Sequence, residues 1–123
     1  MPILEVEIVD QPAAPSIAGA AQRLADAAAT ALGTGPGRTW VRLRRLGRGE
    51  YAENGGPLPA ELAPVFVHVL EAAPPSGDEL ADRVAGLTRA IAEALERDAS
   101  QVHVLYEPPA AGRIAFGGEL RRE

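Results

Sequence analysis

A chain of 123 residues in which 46% are hydrophobic has the length and apolar content of one domain with an ordinary small core, which excludes a disordered chain. Its net charge of −5 includes no long run of like charge, so a small molecule or a second copy of the chain is a better partner than nucleic acid or an acidic membrane. The absence of cysteine excludes disulfides, thiolate metal sites and a cysteine nucleophile.

Ile3 to Val9 alternates Leu4, Val6 and Ile8 with Glu5 and Glu7, the period-two pattern of a half-buried strand. Prolines at 12 and 15 break it, and Ser16 is placed to cap a helix from Ile17 whose stripe is Ala20, Ala21, Leu24, Ala28 and Ala31. Gly33 and Gly35-Pro36-Gly37 end that helix. A second strand is predicted over Thr39–Leu46, followed by a loop from Gly47 to Gly56 with a short hairpin arm. The order then recurs. Pro64–Leu70 reads as a strand, and Ser76-Gly77-Asp78-Glu79 has the form of a capping box. Leu80, Val84, Leu87, Ile91 and Leu95 form an amphipathic stripe, and Gln101–Leu105 reads as a fourth strand.

Pro2 to Pro64 and Gly55 to Gly117 are both shifted by 62 positions and Val41 to Val102 by 61, a repeat of about half the chain. The reading is one domain over residues 1–123, with a first unit at 1–58, a second at 64–123 and a linker at about 57–63. Each helix crosses between two parallel strands, so the fold expected is α+β: a four-stranded mixed sheet with both helices on one face. The other face has no cover within the chain. It is expected to carry apolar groups, either Val65, Val67 and Val69 or Phe66 and Leu70, and to drive self-association.

Pro2 carries the first functional expectation. If Met1 is removed, Pro2 becomes a secondary amine, titrating near roughly 7.7–8.0 and lower in an apolar or cationic setting, and so a base suited to neutral pH. With Met1 attached, its nitrogen is an amide without basicity. Only five aromatics are present, Trp40, Tyr51, Phe66, Tyr106 and Phe116, and each is a candidate to line a pocket or to pack. His68 and His103 have no carboxylate at ligand spacing, which argues for structural roles and against a metal site. No apolar run reaches the roughly 20 residues of a membrane span, and Glu5 and Glu7 stand where a secretory signal is basic, so a soluble cytoplasmic protein is expected.

Three stretches resemble the tautomerase superfamily. Met1-Pro-Ile-Leu-Glu-Val-Glu-Ile8 is similar to the opening strand of 4-oxalocrotonate tautomerases. Residues 101–120, with the glycine pair before Glu119-Leu120, are similar to the end of the same short subunits. Tyr51-Ala-Glu-Asn-Gly-Gly-Pro-Leu-Pro59 is similar to a loop of chloroacrylic acid dehalogenases and related hydratases. The resemblance covers essentially the whole chain and implies a trimer of two-unit chains acting without a cofactor on a small molecule. It implies Pro2 as the catalytic residue and Arg42 as the guanidinium that holds a carboxylate or an enolate. Arg44 lies on the same strand face by alternation, and Arg45 and Arg48 follow nearby. Glu53 falls on the water-activating glutamate of the dehalogenases, and Tyr51 on the aromatic before it; Trp40 joins Arg44 and Tyr51 as a substrate contact. Pro64 is an internal amide, so only one proline per chain can act.

Two chemistries and one inactive alternative follow. In an isomerase, Pro2 abstracts a proton beside a carbonyl of a small carbonyl compound or unsaturated acid and returns it elsewhere. In a hydratase or dehalogenase-like lyase, charged Pro2 is the general acid and Glu53 activates water. The third alternative is a trimeric binding or scaffold protein without activity. Members of the superfamily commonly carry a basic residue just after the first strand, where this chain has Asp10-Gln11, and the second unit has Glu71-Ala72 there. That departure argues against the usual diacid substrates.

Overall fold

Leu4, Val6 and Ile8 turn inward from strand β1 (Ile3–Val9), and all three are almost wholly removed from solvent. In the computed structural model, which describes residues 1–12 and 17–123, β1 lies inside a four-stranded sheet of order β2-β1-β3-β4. Strand β2 (Trp40–Leu46) runs parallel to β1, β3 (Val65–Leu70) antiparallel to it, and β4 (Val102–Tyr106) parallel to β3. The mixed α+β sheet expected from the repeated pattern is present. Helix α1 (Ala20–Leu32) and helix α2 (Gly77–Leu95) join the parallel pairs and pack on each other over one face.

The core is aliphatic and small. Leu24 and Ala28 of α1, Leu87 and Ile91 of α2, and Val65, Val67 and Val69 of β3 are fully buried. Each such leucine, isoleucine or valine contributes roughly 1.5–3 kcal/mol by leaving water. Ala21 and Ala31, read into the first stripe, are exposed, and Leu80 and Val84 are half-buried.

Several local expectations change. Helix α1 begins at Ala20, behind a left-handed Gly19 at φ 72°, and the cap expected from Ser16 lies outside the described residues. Gly33 ends it as expected, at φ 69° with its N–H donating to Ala29 O. Ser76 occupies the position before α2, but its side chain makes no capping hydrogen bond, so the box with Glu79 does not form. The loop after β2 forms a 3₁₀ turn over Arg48–Glu50 and no hairpin. A hairpin occurs instead at the end of the chain, where β5 (Ala115–Phe116) pairs with β6 (Glu119–Leu120). Gly117 and Gly118 at φ 58° and 90° supply the two positive angles that a two-residue hairpin turn requires.

Register corrects the repeat. Leu4 pairs with Val41 and Val65 with Val102, and all four side chains face the helices. A shift of 62 would carry inward Leu4 onto outward Phe66, so it does not hold in the sheet, whereas the 61 that takes Val41 to Val102 keeps both residues facing the helices. With that shift Ala63, and not Pro64, is the counterpart of Pro2.

The second face carries Ile3, Glu5 and Glu7 from β1, Trp40, Arg42 and Arg44 from β2, Phe66, His68 and Leu70 from β3, and His103 and Leu105 from β4. Between the two sets of residues expected there, Phe66 and Leu70 are the outward pair. The face is not simply apolar: charged and apolar side chains alternate across the strands.

Candidate active site

Pro2 lies immediately before β1 and is buried. Its carbonyl accepts a hydrogen bond from Trp40 N at 3.0 Å, which fixes the start of β2 against the start of the chain. The Trp40 indole donates from Nε1 to Gly37 O at 3.0 Å and meets Phe116 edge to face, with centroids 5.3 Å apart and planes at 89°. The C-terminal hairpin thus closes over the same end of the sheet. Trp40 remains 43% exposed, enough to offer an apolar wall beside Pro2.

Electrostatics single out this end. The amine of Met1 is depressed from its ordinary 8.0, first by burial and next by the Arg121 guanidinium; Glu71 opposes the shift and Arg38 adds to it. Glu71 follows β3, whose Leu70 lies opposite Ile3, and forms an ion pair with Arg83 of α2 through contacts of 2.9 and 3.1 Å. Its side chain is only 12% exposed. Tyr106 of β4 lies close enough to feel both charges, yet no well-formed hydrogen bond reaches its buried Oη. Burial and then the Glu71 carboxylate raise this phenol above its ordinary range.

The other expected residues are spread along the sheet. Arg42 forms an ion pair with Glu5, its cross-strand partner, on the open face. It borders a cavity of about 390 Å³ with Ile3, Glu5, His68, Leu70 and Glu107. Arg44 and Arg42 line an adjoining cavity of about 180 Å³ with Glu5, Glu7 and His68. Tyr51 packs against Phe66, centroids 5.6 Å apart, and donates to Glu53 Oε2 at 2.6 Å. That hydrogen bond, then burial and the charge of Glu53, raise the Tyr51 phenol. Phe66 lies opposite Glu7, five residues from Pro2, so Tyr51 and Glu53 sit roughly 16 Å along the strand at about 3.3 Å per residue. One chain therefore brings Pro2 and Trp40 together, holds Arg42 and Arg44 on the open face, and leaves Tyr51 and Glu53 at the far end.

The remaining cations near β2 are engaged elsewhere. Arg45 pairs with Asp10 at 2.9 Å. Arg48 donates to the carbonyls of Asp10, Leu62 and Pro59, holding the linker to the sheet. His68 contacts Glu107 at 2.9 Å, and His103 packs on Phe66 with centroids 5.5 Å apart. Among the described residues, no three histidine, cysteine or acidic side chains converge on a point that would hold a metal ion. Nor is any described helix long and apolar enough to cross a membrane. Sequence reasoning missed Arg38, Glu71 and Arg121 as charges acting on the amino terminus, and Arg83 and Tyr106 as neighbours of Glu71. The antiparallel pairing of β1 with β3 brings Glu71 to this end, and single-residue patterns carry no signal of it.

Neither a protein-family model nor a curated protein matches the sequence. Solved structures do match in fold. A fused 4-OT that forms a symmetric trimer superposes with TM-score 0.72 at 17% identity, over 98% of this chain and 95% of that one. A fused 4-OT that forms an asymmetric trimer gives 0.71 at 22% identity, over 98% and 96%. A member of the cis-3-chloroacrylic acid dehalogenase family gives 0.67 at 17% identity, over 94% and 82%. The chain therefore has the fold of the tautomerase superfamily along nearly its whole length.

Proposed function

We propose that the chain is a cofactor-independent tautomerase in which Pro2, freed by removal of Met1, is the general base. The observation that carries this reading is the setting of Pro2: buried, at the end of the sheet where burial and two arginines already depress the terminal amine. A secondary amine there is neutral over more of the physiological range than one in water, and neutral amine is the form that accepts a proton. Trp40 and Phe116 wall the site and exclude water from the transferring proton. Pro2 takes a proton from carbon beside a carbonyl, negative charge develops on the oxygen, and Pro2 returns the proton at the new position; ketonisation of an enol runs this path in reverse, the proton leaving the hydroxyl for Pro2 and passing from Pro2 to carbon.

The same reading makes the protein a homotrimer, as the fused 4-OT structures are. The open sheet face supports this. Exposed Trp40 and Leu105 share it with complementary charges from Glu5, Glu7, Arg42 and Arg44. Arg42 and Arg44 would reach a Pro2 site from a neighbouring copy, and so would Glu53 if water addition occurs. Nothing within one chain favours the lyase, because Glu53 lies at the far end of β1 and its carboxylate is held by Tyr51.

The test joins intact mass to kinetics. Mature protein should lack Met1 and convert the enol of phenylpyruvate to the ketone, and Pro2→Ala should slow that conversion. Alanine keeps a primary amine, so activity need not vanish. Retention of Met1 on an active enzyme, or unchanged turnover in Pro2→Ala, would defeat the proposal.

A further inference from the structure

We propose that the open sheet face is a proton-coupled interface: closing it against further copies of the chain binds a proton at His68, which then balances Glu107. The inference rests on the trimer reading above and adds to it a dependence on pH.

The face presents its charges in cross-strand register. Glu5 of β1 stands opposite Arg42 of β2 and forms an ion pair with it, and Glu7 stands opposite Arg44. His68 of β3 stands opposite Glu5 on the other side and borders the cavity of about 390 Å³ together with Arg42 and Glu107. Glu107 directly follows β4, and its N–H donates to Val69 O at 2.9 Å, so backbone pairing fixes it beside β3. Its Oε1 lies 2.9 Å from His68 Nδ1. The remaining charged or titratable groups nearby are engaged elsewhere or unpaired with it. Arg113 borders a cavity of about 310 Å³ with Glu107 but forms no ion pair with it among the described residues. His103 of β4 packs on Phe66, and Glu53 is held by Tyr51 over the same ring.

On the strands of this face Glu5 and Glu7 are each answered by an arginine across from them, whereas Glu107 is answered only by an imidazole. In a single chain that costs little, because the side chains of His68 and Glu107 are 44% and 37% exposed and water screens the pair. Packing further copies over the face removes that water. A carboxylate beside a neutral imidazole then loses hydration without gaining a counter-charge, whereas an imidazolium donates a charge-assisted hydrogen bond to it. The partner is a copy of this chain because the face is mixed: Glu5, Glu7, Arg42 and Arg44 alternate with exposed Trp40 and Leu105, a pattern able to complement itself. Each copy brings the same charges, so the shortfall recurs in every chain whichever copy's site Arg42 and Arg44 serve. A chain in the trimer therefore holds one proton more than a free chain. Assembly strengthens as pH falls and weakens as pH rises across the range, about pH 5–8, in which imidazoles change charge.

The test is analytical ultracentrifugation of the full chain over a dilution series at pH 5.5, 6.5 and 7.5. Where the trimer persists at every dilution, the urea midpoint of its concentration-dependent dissociation is read instead. Wild type should associate about tenfold or more tightly at pH 5.5 than at pH 7.5, since one proton taken up is worth up to tenfold per pH unit. His68→Gln keeps a donor for Glu107 but cannot gain charge, and should flatten the dependence. Glu107→Gln removes the unbalanced carboxylate, and should be equally flat and at pH 7.5 at least as tight as wild type; a merely structural pair would make it weaker. His103→Gln should keep the wild-type slope. Wild-type association that is flat or tightens as pH rises, or a slope that survives in His68→Gln, would overturn the proton coupling and leave the trimer standing. A slope lost in His103→Gln instead would put the proton on the other imidazole and overturn the assignment. A chain that is monomeric at every pH would overturn the trimer and the coupling together.

Discussion

The indole of Trp40 and the ring of Phe116 meet edge to face at 5.3 Å, joining the strand that anchors Pro2 to a hairpin more than 70 positions later in the chain. Such a pair is worth about 0.5–1.5 kcal/mol beyond its burial. Phe116→Ala should therefore lower stability to chemical denaturation by about 1 kcal/mol. It should lower kcat/KM for an enol substrate more than Leu120→Ala does, since Leu120 on the same hairpin is exposed and makes no ring contact with Trp40. Equal kinetic effects from the two variants would show that the hairpin does not wall the site.

Charge neighbours of the terminal amine should move the acid limb of the rate profile in opposite directions. A general base works deprotonated, so kcat/KM rises as pH climbs through its pKa. Burial and Arg121, with Arg38, push the Met1 amine below its ordinary 8.0, and Glu71 pushes it back up; a Pro2 amine one residue on is expected to meet the same charges. Glu71→Gln removes a negative charge that stabilises the cation, so the limb should shift to lower pH. Arg121→Ala removes a positive charge that destabilises it, so the limb should shift to higher pH. Kinetics from pH 5 to 9 on the Met1-free protein check both signs, and a shift of the two limbs in the same direction would contradict the placement.

Isomerisation needs no activated water, and Glu53 lies toward the far end of β1 from Pro2 in the same chain, bonded to Tyr51. Glu53→Gln should leave tautomerase turnover within about tenfold, a cost of roughly 1.4 kcal/mol in the barrier. If the protein also adds water to a haloacrylic or acetylenic acid, that reaction should fall by about a hundred- to ten-thousandfold in the same variant. Equal loss of both reactions with the fold intact would make Glu53 a shaping residue.

The elements were legible because their periods are clean. Leu4, Val6 and Ile8 at spacing two, and Leu87, Ile91 and Leu95 at spacing four, each point to one buried face, and those residues are the core. The repeat predicted the two parallel pairs and the helices between them. The expected mixed sheet implies an antiparallel join between the halves but not which strands meet there, so Glu71, at the end of β3, was not seen as acting on the amino terminus. Ser76 illustrates a second limit: its position matches a cap, but position alone does not aim its hydroxyl. Arg42 was found through the resemblance and Arg44 by alternation, yet neither showed that Glu5 stands directly across from Arg42 and Glu7 from Arg44.

The core itself admits a blunt test. Leu87 has no exposure and packs between α2 and the sheet. Leu87→Asp places an unpaired charge there at a cost of several kcal/mol, a large part of what a domain of this size has in reserve. Loss of the helical circular dichroism signal is expected at room temperature. A cooperative unfolding transition like that of wild type would mean that this face of α2 is not the core.

The most direct measurement is a titration of the Pro2 nitrogen by ¹⁵N NMR in protein labelled at proline and shown by mass to lack Met1. The account predicts one titrating proline nitrogen with a pKa below its ordinary value near 8.0, matching the acid limb of kcat/KM and moving with it in Glu71→Gln and Arg121→Ala. A Pro2 nitrogen that titrates at or above that value, or whose pKa does not follow the rate profile, would contradict its assignment as the base.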